Sequence, residues 1–163
     1  MRLRRRYVDT RWVFVILTCI MTVIYFAVGL SPARAAVYNI VGAVEIPSIG
    51  LNSDVTALSL TSEGLQTPDT IVGSYTRGNK TLLIGHSTTV FQDLDDVRLG
   101  DIIYYNGEKY KVLTISVARK EDIIMSELLR PDEQESLVVM TCAGTLLPHG
   151  DATHRLMLDA VKI

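Results

Sequence analysis

Residues 136–142 read SLVVMTC, a short apolar run that ends at a cysteine. A continuous run of this length is typical of a strand buried on both faces. Outward from it, other short segments carry strand signals at close spacing, several of them with alternating apolar and polar residues. These segments read VEIPSIGL (44–51), DVTALSL (54–60), TIVGSY (70–75), TLLIGH (81–86), DIIYY (101–105), EKYKVLTISVA (108–118) and RLMLDAVKI (155–163).

Turn signals separate these segments, and helical patterns are sparse. Asn106-Gly107 lies between two of the segments and is a strong signal for a short hairpin. Pro47 and Gly50 suit an edge strand or a bend in the first segment. Residues 88–97 and 121–129 have patterns that suit short helices. Seven or eight strands over about 120 residues predict an all-β domain, a barrel or closed sandwich with short connecting helices.

The charge of the chain is unevenly distributed. The 163 residues are 48% apolar and 21% charged, with a formal net charge of −2. Residues 1–11 carry five arginines and one aspartate, whereas residues 31–163 carry 11 basic and 17 acidic side chains. The composition argues against disorder. Because the folded part is mildly acidic and has no basic stripe, nucleic-acid binding is not expected.

Residues 12–30 read WVFVILTCIMTVIYFAVGL, 19 residues without a formal charge. A helix of this length spans the hydrocarbon core of a bilayer. Since the arginines cluster before it, we expect a cytoplasmic tail (1–11), a single-pass membrane anchor (12–30), a tether (31–42) and an extracellular domain (43–163). A signal peptide cleaved near Ala33-Arg34-Ala35 is the competing interpretation, but the apolar run is longer than a usual signal-peptide core.

The two cysteines fall in different parts of this topology. Cys19 lies in the predicted membrane segment and Cys142 in the exported domain, so we do not expect them to pair with each other. An exported protein with an unpaired thiol usually uses it for intermolecular pairing or for reactivity. Cys142 ends the buried run and precedes Ala143-Gly144-Thr145, which predicts a thiol at a strand end beside a flexible loop. The alternative is core filling, because cysteine is among the most buried residue types.

His86 and Arg155 are the candidate partners of this thiol. His86 terminates TLLIG as Cys142 terminates its own run, so both side chains are expected at strand ends around one rim. His149 and His154 are rivals that lie closer in sequence, although a cysteine–histidine pair is adjacent in space and not along the chain. Arg155 follows Cys142 by 13 residues, and antiparallel pairing would bring its guanidinium near the sulfur. Taken singly, a histidine or arginine at such a position is more often a solvated side chain.

An acidic set lies between two of the predicted strands and contains Asp93, Asp95, Asp96 and Asp101. Carboxylates of this kind bind Ca²⁺, but these lack the spacing of an EF-hand loop. Charge clusters in loops are mostly solvated. We therefore expect no metal or other cofactor, with Ca²⁺ as the minor alternative.

Taken together, these features resemble the sortases, the membrane-anchored cysteine transpeptidases of Gram-positive and related bacteria. The resemblance covers residues 43–163 and rests on several pieces in the right order. The pieces are the N-terminal anchor, Ile46-Pro47, Gly50-Leu51, Gly85-His86-Ser87, Phe91, Leu94, Leu99-Gly100-Asp101, Thr141-Cys142 and Arg155. Family members usually read Thr-Leu-x-Thr-Cys at the strand end, whereas Val138 and Val139 replace the first two residues here.

The resemblance implies the closed eight-stranded sortase β-barrel and a catalytic function. It implies that Cys142 is the nucleophile, that His86 is the general acid and base, and that Arg155 stabilises the oxyanion and substrate. The residues expected to bind substrate are Thr141, Ala143 and Ser87.

The same resemblance implies the partners. The substrate is a sorting-signal peptide of the Leu-Pro-x-Thr-Gly kind, cut between Thr and Gly, and the acceptor is an amine of a peptidoglycan precursor or a pilin. A membrane anchor agrees with this, because it holds the enzyme where lipid-linked precursors lie. The short tether leaves little room for the N-terminal lid of pilus-polymerising members, which favours wall anchoring.

Three alternatives stay open at this point. An L,D-transpeptidase is also exported and uses Cys and His, but MTCAGT lacks its Ser-x-Gly-Cys-Arg-like stretch. A membrane-tethered β-domain that only binds a partner would use Cys142 as core filling. A catalytically degenerate sortase would keep the fold as an accessory protein.

Overall fold

The structure, a computed structural model, describes residues 18–20, 38–61, 64–148 and 151–163. The chain divides into two compact units, residues 1–37 and 38–163. In the first unit the described residues 18–20 are helical. Among the described residues no helix has the length and apolar character needed to cross a bilayer. The predicted anchor at 12–30 lies almost wholly outside the described residues, so it stays a prediction.

Eight strands make up about half of the described residues of the second unit. They are β1 (Ile40–Ile46), β2 (Leu51–Ala57), β3 (Val72–Arg77), β4 (Lys80–Ile84), β5 (Ile102–Tyr105), β6 (Glu108–Arg119), β7 (Ser136–Leu146) and β8 (Ala152–Lys162). The connections carry 3-10 turns at Pro47–Ile49, Leu94–Asp96 and Lys120–Asp122 and a one-turn α-helix at Met125–Leu128. Short helices in the connections agree with the patterns at 88–97 and 121–129.

The strands close into a barrel in the order β1-β2-β3-β4-β7-β8-β6-β5. Pairing is antiparallel except between β2 and β3 and between β4 and β7, which are parallel. The predicted all-β closed barrel is therefore confirmed. The Asn106-Gly107 hairpin is confirmed as well, since both residues have positive φ, 53° and 82°, and join β5 to β6.

Side chains alternate between the two faces of the barrel wall, as the period of a strand requires. The inward residues form the main core, with Phe91 and Leu94 from the β4–β5 connection added to it. A second core lies on the outer face of β4, β7 and β8 and contains Leu82, Ile84, Leu129, Val138 and Met157. This second core explains why residues 136–140 have no polar positions facing water.

The structure differs from the predicted element ends in three places. VEIPSIGL is not one strand, because a 3-10 turn at Pro47–Ile49 and Gly50, with φ 65°, divide it into β1 and β2. The first strand begins at Ile40, inside the stretch expected to be tether. The expected loop after Cys142 is wrong, because β7 and β8 continue pairing as far as Leu146 and Ala152.

Candidate functional site

Cys142 and Arg155 are direct partners in the antiparallel ladder of β7 and β8. Opposed residues in such a ladder place their side chains on the same face, with Cβ atoms about 5 Å apart. That face is the outer one, because Met140 and Met157, two residues away on each strand, belong to the outer core and its margin. Cys142 is a free thiol and is half-buried. The register therefore brings the guanidinium and the sulfur to one surface.

His86 reaches the same surface through the parallel pairing of β4 with β7. Ile84, the last residue of β4, is opposite Met140, so the chain after β4 continues beside Thr141 and Cys142 of β7. Gly85 donates its N–H to the carbonyl of Met140 at 3.4 Å, and the Thr141 hydroxyl donates to the Gly85 carbonyl at 2.8 Å. These two bonds hold His86 beside the part of β7 that carries Cys142.

The turn after His86 is anchored in the barrel core. The N–H groups of Thr89 and Phe91 donate to the His86 carbonyl at 3.3 and 3.0 Å. The Phe91 ring is buried and packs over Gly85, where an added Cβ would lie 2.8 Å from the ring. Glycine is required before His86 because the aromatic ring occupies the space of a side chain.

A groove of about 880 Å³ connects the three predicted catalytic residues. Its walls come from the ends of β4, β7 and β8, from the β2–β3 connection and from the β6–β7 connection. The lining residues are Leu60, Gly64, Leu65, Thr67, Tyr75, Arg77, Ile84, Gly85, His86, Lys120, Ile123, Met125, Ser126, Leu129, Met140, Thr141, Cys142, Asp151 and Arg155. The groove lies outside the barrel, against the outer core.

Arg155 is held at the groove by several contacts. Its Nη1 donates to the carbonyls of Ala152 and His154, both at 2.9 Å, and its Nη2 donates to Oδ1 of Asp151 at 2.7 Å. The ammonium of Lys120 contacts the other oxygen of Asp151. The hydrogen bonds from Lys120 and then Arg155 hold the pKa of the Asp151 carboxyl well below its usual range.

The other predicted site residues lie in different surroundings. Thr141 is buried at the groove, and its hydroxyl donates a hydrogen bond to the Gly85 carbonyl. Ala143 packs at the edge of the main core, and neither it nor Ser87 is among the residues that line the groove. His154 faces away from Arg155, with Nδ1 2.8 Å from the Thr153 hydroxyl, and it is outside the groove lining. His149 is outside the described residues.

Two members of the acidic set, Asp96 and Asp101, contact the same residue, Arg98. Asp101 accepts the backbone N–H of Arg98 at 2.9 Å, which lowers the pKa of its carboxyl. Asp96 lies 3.6 Å from the guanidinium of Arg98. Within the described part of the chain, no group of three or more His, Cys, Asp or Glu side chains is placed to hold a metal ion. The expectation of no cofactor, with Ca²⁺ as the minor alternative, stays a prediction.

Two residues of the groove were not anticipated from the sequence, Asp151 and Lys120. Neither lies in a motif, and each is an ordinary charged residue in a connection between strands. Their contact depends on the β6–β7 and β7–β8 connections meeting beside Arg155. No local pattern in the sequence carries that information.

The groove brings together the groups that acyl transfer through a covalent intermediate requires. A thiol can attack a carbonyl, an imidazole can move a proton, and a guanidinium can bind the negative oxygen that forms. The apolar wall formed by residues such as Ile84, Leu129 and Met140 gives room for the side chains of a bound peptide.

Comparison with known proteins identifies relatives of this barrel. A family model described as a sortase domain matches residues 44–163. The chain is similar to a lid mutant of sortase A from Corynebacterium diphtheriae, with 26% identity, a TM-score of 0.60 and coverage of 82% of this chain and 75% of that chain. No curated protein matches the sequence.

Two further solved structures share the fold at lower identity. The pilus-related sortase C of Group B Streptococcus is 21% identical, with a TM-score of 0.60 and coverage of 82% and 77% of the two chains. Sortase A of Listeria monocytogenes is 16% identical, with a TM-score of 0.59 and coverage of 76% and 87%. Because the family model covers most of the sequence and the barrel matches those of solved sortases, the chain belongs to the sortase family.

Proposed function

We propose that the chain is a cysteine transpeptidase that cleaves a sorting signal of the Leu-Pro-x-Thr-Gly kind between Thr and Gly and transfers the protein to a cell-wall amine. The family and the fold support a transpeptidase of the sortase type. The observation that carries the assignment of residues is the register of β7 and β8, which pairs Cys142 with Arg155 at the groove that His86 also lines.

In the proposed reaction the Cys142 thiolate attacks the carbonyl carbon of the threonine. The C–N bond to glycine then breaks, and His86 protonates the departing amine, which leaves a thioester on Cys142. An incoming amine gives up a proton to His86, attacks the thioester and releases the thiolate. The peptide bond lost in the first half is replaced by an amide in the second, so no oxidant or metal is required.

Arg155 is the proposed hydrogen-bond donor to the oxyanion in both halves of the reaction. Negative charge develops on the carbonyl oxygen at each attack, and a fixed cationic donor stabilises that charge more than it stabilises the ground state. The side chain is 13% exposed, so water screens it less than an exposed arginine.

We propose that the groove binds the acyl half of the peptide. This half stays attached to Cys142 while the leaving half departs and the acceptor enters. The apolar residues of the outer wall, among them Leu65, Ile123 and Leu129, favour an apolar sorting motif over a charged one. Thr141 acts in this scheme by holding Gly85 and not by touching the peptide.

The proposed setting is the outer surface of a cell membrane, with residues 12–30 as anchor and the N-terminus in the cytoplasm. The acceptor would be an amine of a lipid-linked peptidoglycan precursor or of a pilin. Anchoring enzyme and precursor in one membrane raises their effective concentration.

The test is amine-dependent transfer by the full chain in detergent, with a panel of sorting peptides and amines read by mass spectrometry. We expect Cys142→Ala and Arg155→Ala to abolish transfer, with His154→Ala as the matched control that keeps most of the rate because it lies outside the groove. A thioester adduct of wild-type Cys142 should be trapped when no amine is added.

Two results would contradict the proposal. Full transfer by Cys142→Ala would exclude the thiol as nucleophile. A wild-type chain that transfers no peptide, and whose Cys142 reacts slowly with iodoacetamide whether or not His86 is replaced by alanine, would favour a binding domain in place of an enzyme.

A further inference from the structure

Asp151 lies at the end of the short connection between β7 and β8, beside the groove. Its Oδ1 accepts the Nη2 of Arg155 at 2.7 Å and the backbone N–H of Ala152 at 2.8 Å, and its Oδ2 faces the ammonium of Lys120. The side chain is 24% exposed. The carboxylate is thus fixed by the N–H of the next residue and by two cations at once.

These contacts leave part of the Arg155 guanidinium available. A guanidinium has five N–H groups. The carbonyls of Ala152 and His154 and the carboxylate of Asp151 take three of them, two on Nη1 and one on Nη2. Contacts with the described residues leave the N–H of Nε and one N–H of Nη2 for a ligand in the groove.

An arginine side chain has four rotatable bonds, and fixing it costs up to about 2 kcal/mol of conformational entropy. If that cost is met in the folded protein before substrate binds, it does not add to the barrier of the reaction. The two carbonyl bonds hold Nη1 through neutral backbone acceptors. The bond to Asp151 holds a second nitrogen through a charge-assisted contact, so the guanidinium is oriented more firmly than the carbonyls alone would orient it.

We propose that Asp151 is a positioning residue that orients the guanidinium of Arg155, so that its remaining N–H groups point into the groove toward the reacting carbonyl. This inference rests on the proposed function, in which Arg155 binds the oxyanion. Asp151 itself touches neither the thiol nor the peptide in this scheme and acts only through Arg155.

The charge state of Asp151 agrees with this role. The hydrogen bonds from Lys120 and Arg155 lower the pKa of its carboxyl, so the group stays ionised throughout the neutral range. A charge-assisted contact between carboxylate and guanidinium is roughly twice as strong as a neutral hydrogen bond. Removal of the carboxylate would leave two cations, Lys120 and Arg155, facing each other at the groove.

The experiment compares Asp151→Ala and Asp151→Glu with a matched control, Asp132→Ala, in the full chain. Asp132 is also an ion-paired aspartate, since it lies 2.9 Å from Lys80 and accepts the Ser136 hydroxyl at 2.8 Å, and its carboxyl pKa is also lowered. It lies outside the groove lining. Asp132→Ala therefore removes a comparable interaction without touching Arg155.

The first readout separates kcat from KM in the transfer assay. We expect kcat of Asp151→Ala to fall at least about tenfold with KM within about threefold, because an oxyanion contact exists only in the transition state. Asp151→Glu should recover a third or more of the lost rate, and Asp132→Ala should keep the wild-type kcat. An unchanged kcat in Asp151→Ala, or an equal loss in Asp132→Ala, would overturn the inference.

The second readout does not depend on activity. In ¹⁵N–¹H spectra of the guanidinium groups, with Arg155→Lys to assign the signals, we expect the Nη2 signals of Arg155 to be restricted in the wild type and averaged in Asp151→Ala, because only Nη2 bonds to Asp151. Restricted Nη2 signals that persist in Asp151→Ala would overturn the inference. A wild-type chain that transfers no peptide would instead contradict the proposed function, so the two failures are distinguishable.

Discussion

Gly85 shows how a single residue positions the site. A Cβ at this position would lie 2.5 Å from a methyl group of Val90 and 2.8 Å from the Phe91 ring. Such contacts are shorter than van der Waals distances, so any side chain would force the turn that carries His86 to shift. The same residue accepts the hydroxyl of Thr141 on its carbonyl. The position of His86 thus depends on the residue that precedes it.

The partly buried carboxyl of Asp159 makes the stability of the folded chain depend on pH. It lies half-buried on β8 opposite Val138, and burial raises the pKa of its carboxyl, with the charge of Asp132 adding to the effect and that of Lys80 opposing it. A folded pKa above the unfolded value of 3.8 means that the ionised form costs stability at higher pH. We therefore expect Asp159→Asn to raise the free energy of unfolding at pH 7.

The advantage of Asp159→Asn should shrink as the pH falls and disappear below about pH 3.8, where the wild-type carboxyl is protonated in both states. Urea unfolding of both chains at pH 7 and pH 3 measures this. The exposed Asp54 on β2 supplies the control, since Asp54→Asn should leave stability unchanged at both values. An Asp159→Asn chain that is less stable at pH 7, or whose advantage does not vary with pH, would contradict the prediction.

At the scale of elements, the parallel pairing of β4 with β7 decides which residues meet. The register sets Ile84, the end of β4, opposite Met140 in the middle of β7, so the residues after Ile84 lie beside Thr141 and Cys142. The Thr141 hydroxyl joins β7 to the residue after β4 through the Gly85 carbonyl at 2.8 Å, within a buried environment. This bond connects the element that carries Cys142 with the turn that carries His86.

Thr141→Val tests the coupling between β7 and the residues that follow β4. The substitution keeps the shape of the side chain but leaves the buried carbonyl of Gly85 without its donor, which costs about 1–3 kcal/mol. We expect lower stability in urea and a kcat reduced several-fold, because the turn of His86 is less firmly held.

Thr56→Val is the matched control for this prediction. Thr56 is also a buried threonine, and its hydroxyl donates to the Asn39 carbonyl at 2.9 Å, away from the groove. It should cost similar stability while the transfer rate stays the same. Equal activity of Thr141→Val and Thr56→Val would show that the bond at Thr141 contributes only to stability.

At the scale of the whole molecule, the second unit is a filled barrel with its groove on the outside. The interior is occupied by the main core, so a substrate has no space there. The outer core, residues such as Leu82 and Leu129, packs the β6–β7 connection against β4 and β7 and makes one wall of the groove. Substrate access therefore depends on the connections and not on opening of the barrel.

The membrane anchor is a prediction about the chain as a whole. We expect the full chain to remain in the membrane fraction after alkaline extraction, with an intact mass that includes residues 1–35. Ile20→Arg combined with Val23→Arg should release it, because each charge at the centre of a membrane helix costs about 3 kcal/mol. Ser59→Arg, an exposed position of the second unit, is the control for added charge.

The two interpretations of residues 12–30, a membrane anchor and a cleaved signal peptide, predict different masses for the mature chain. A mass that lacks the residues up to Ala33-Arg34-Ala35 would show a cleaved signal peptide in place of an anchor. Membrane association that survives the double arginine variant would exclude this segment as the anchor.

Much of the fold was predictable from local sequence. Alternation of apolar residues marks a strand without knowledge of its neighbours, and Asn106-Gly107 adopts the positive φ values of a tight hairpin because few other pairs do so readily. The ends of β7 and β8 were not predictable, because Gly144, with φ 77°, sits in a bulge that continues the pairing where a loop was expected. Whether such a glycine ends a strand or bends it depends on the partner strand.

The amino-acid sequence by itself determined the strand-rich architecture, the apolar N-terminal segment and the candidate residues His86, Cys142 and Arg155, because side-chain type and spacing act locally. Only the tertiary structure decided that Cys142 faces Arg155 across one ladder and that Asp151 and Lys120 join them at the groove. The physical reason is that register and the meeting of two connections are properties of paired strands, and neither strand carries them alone.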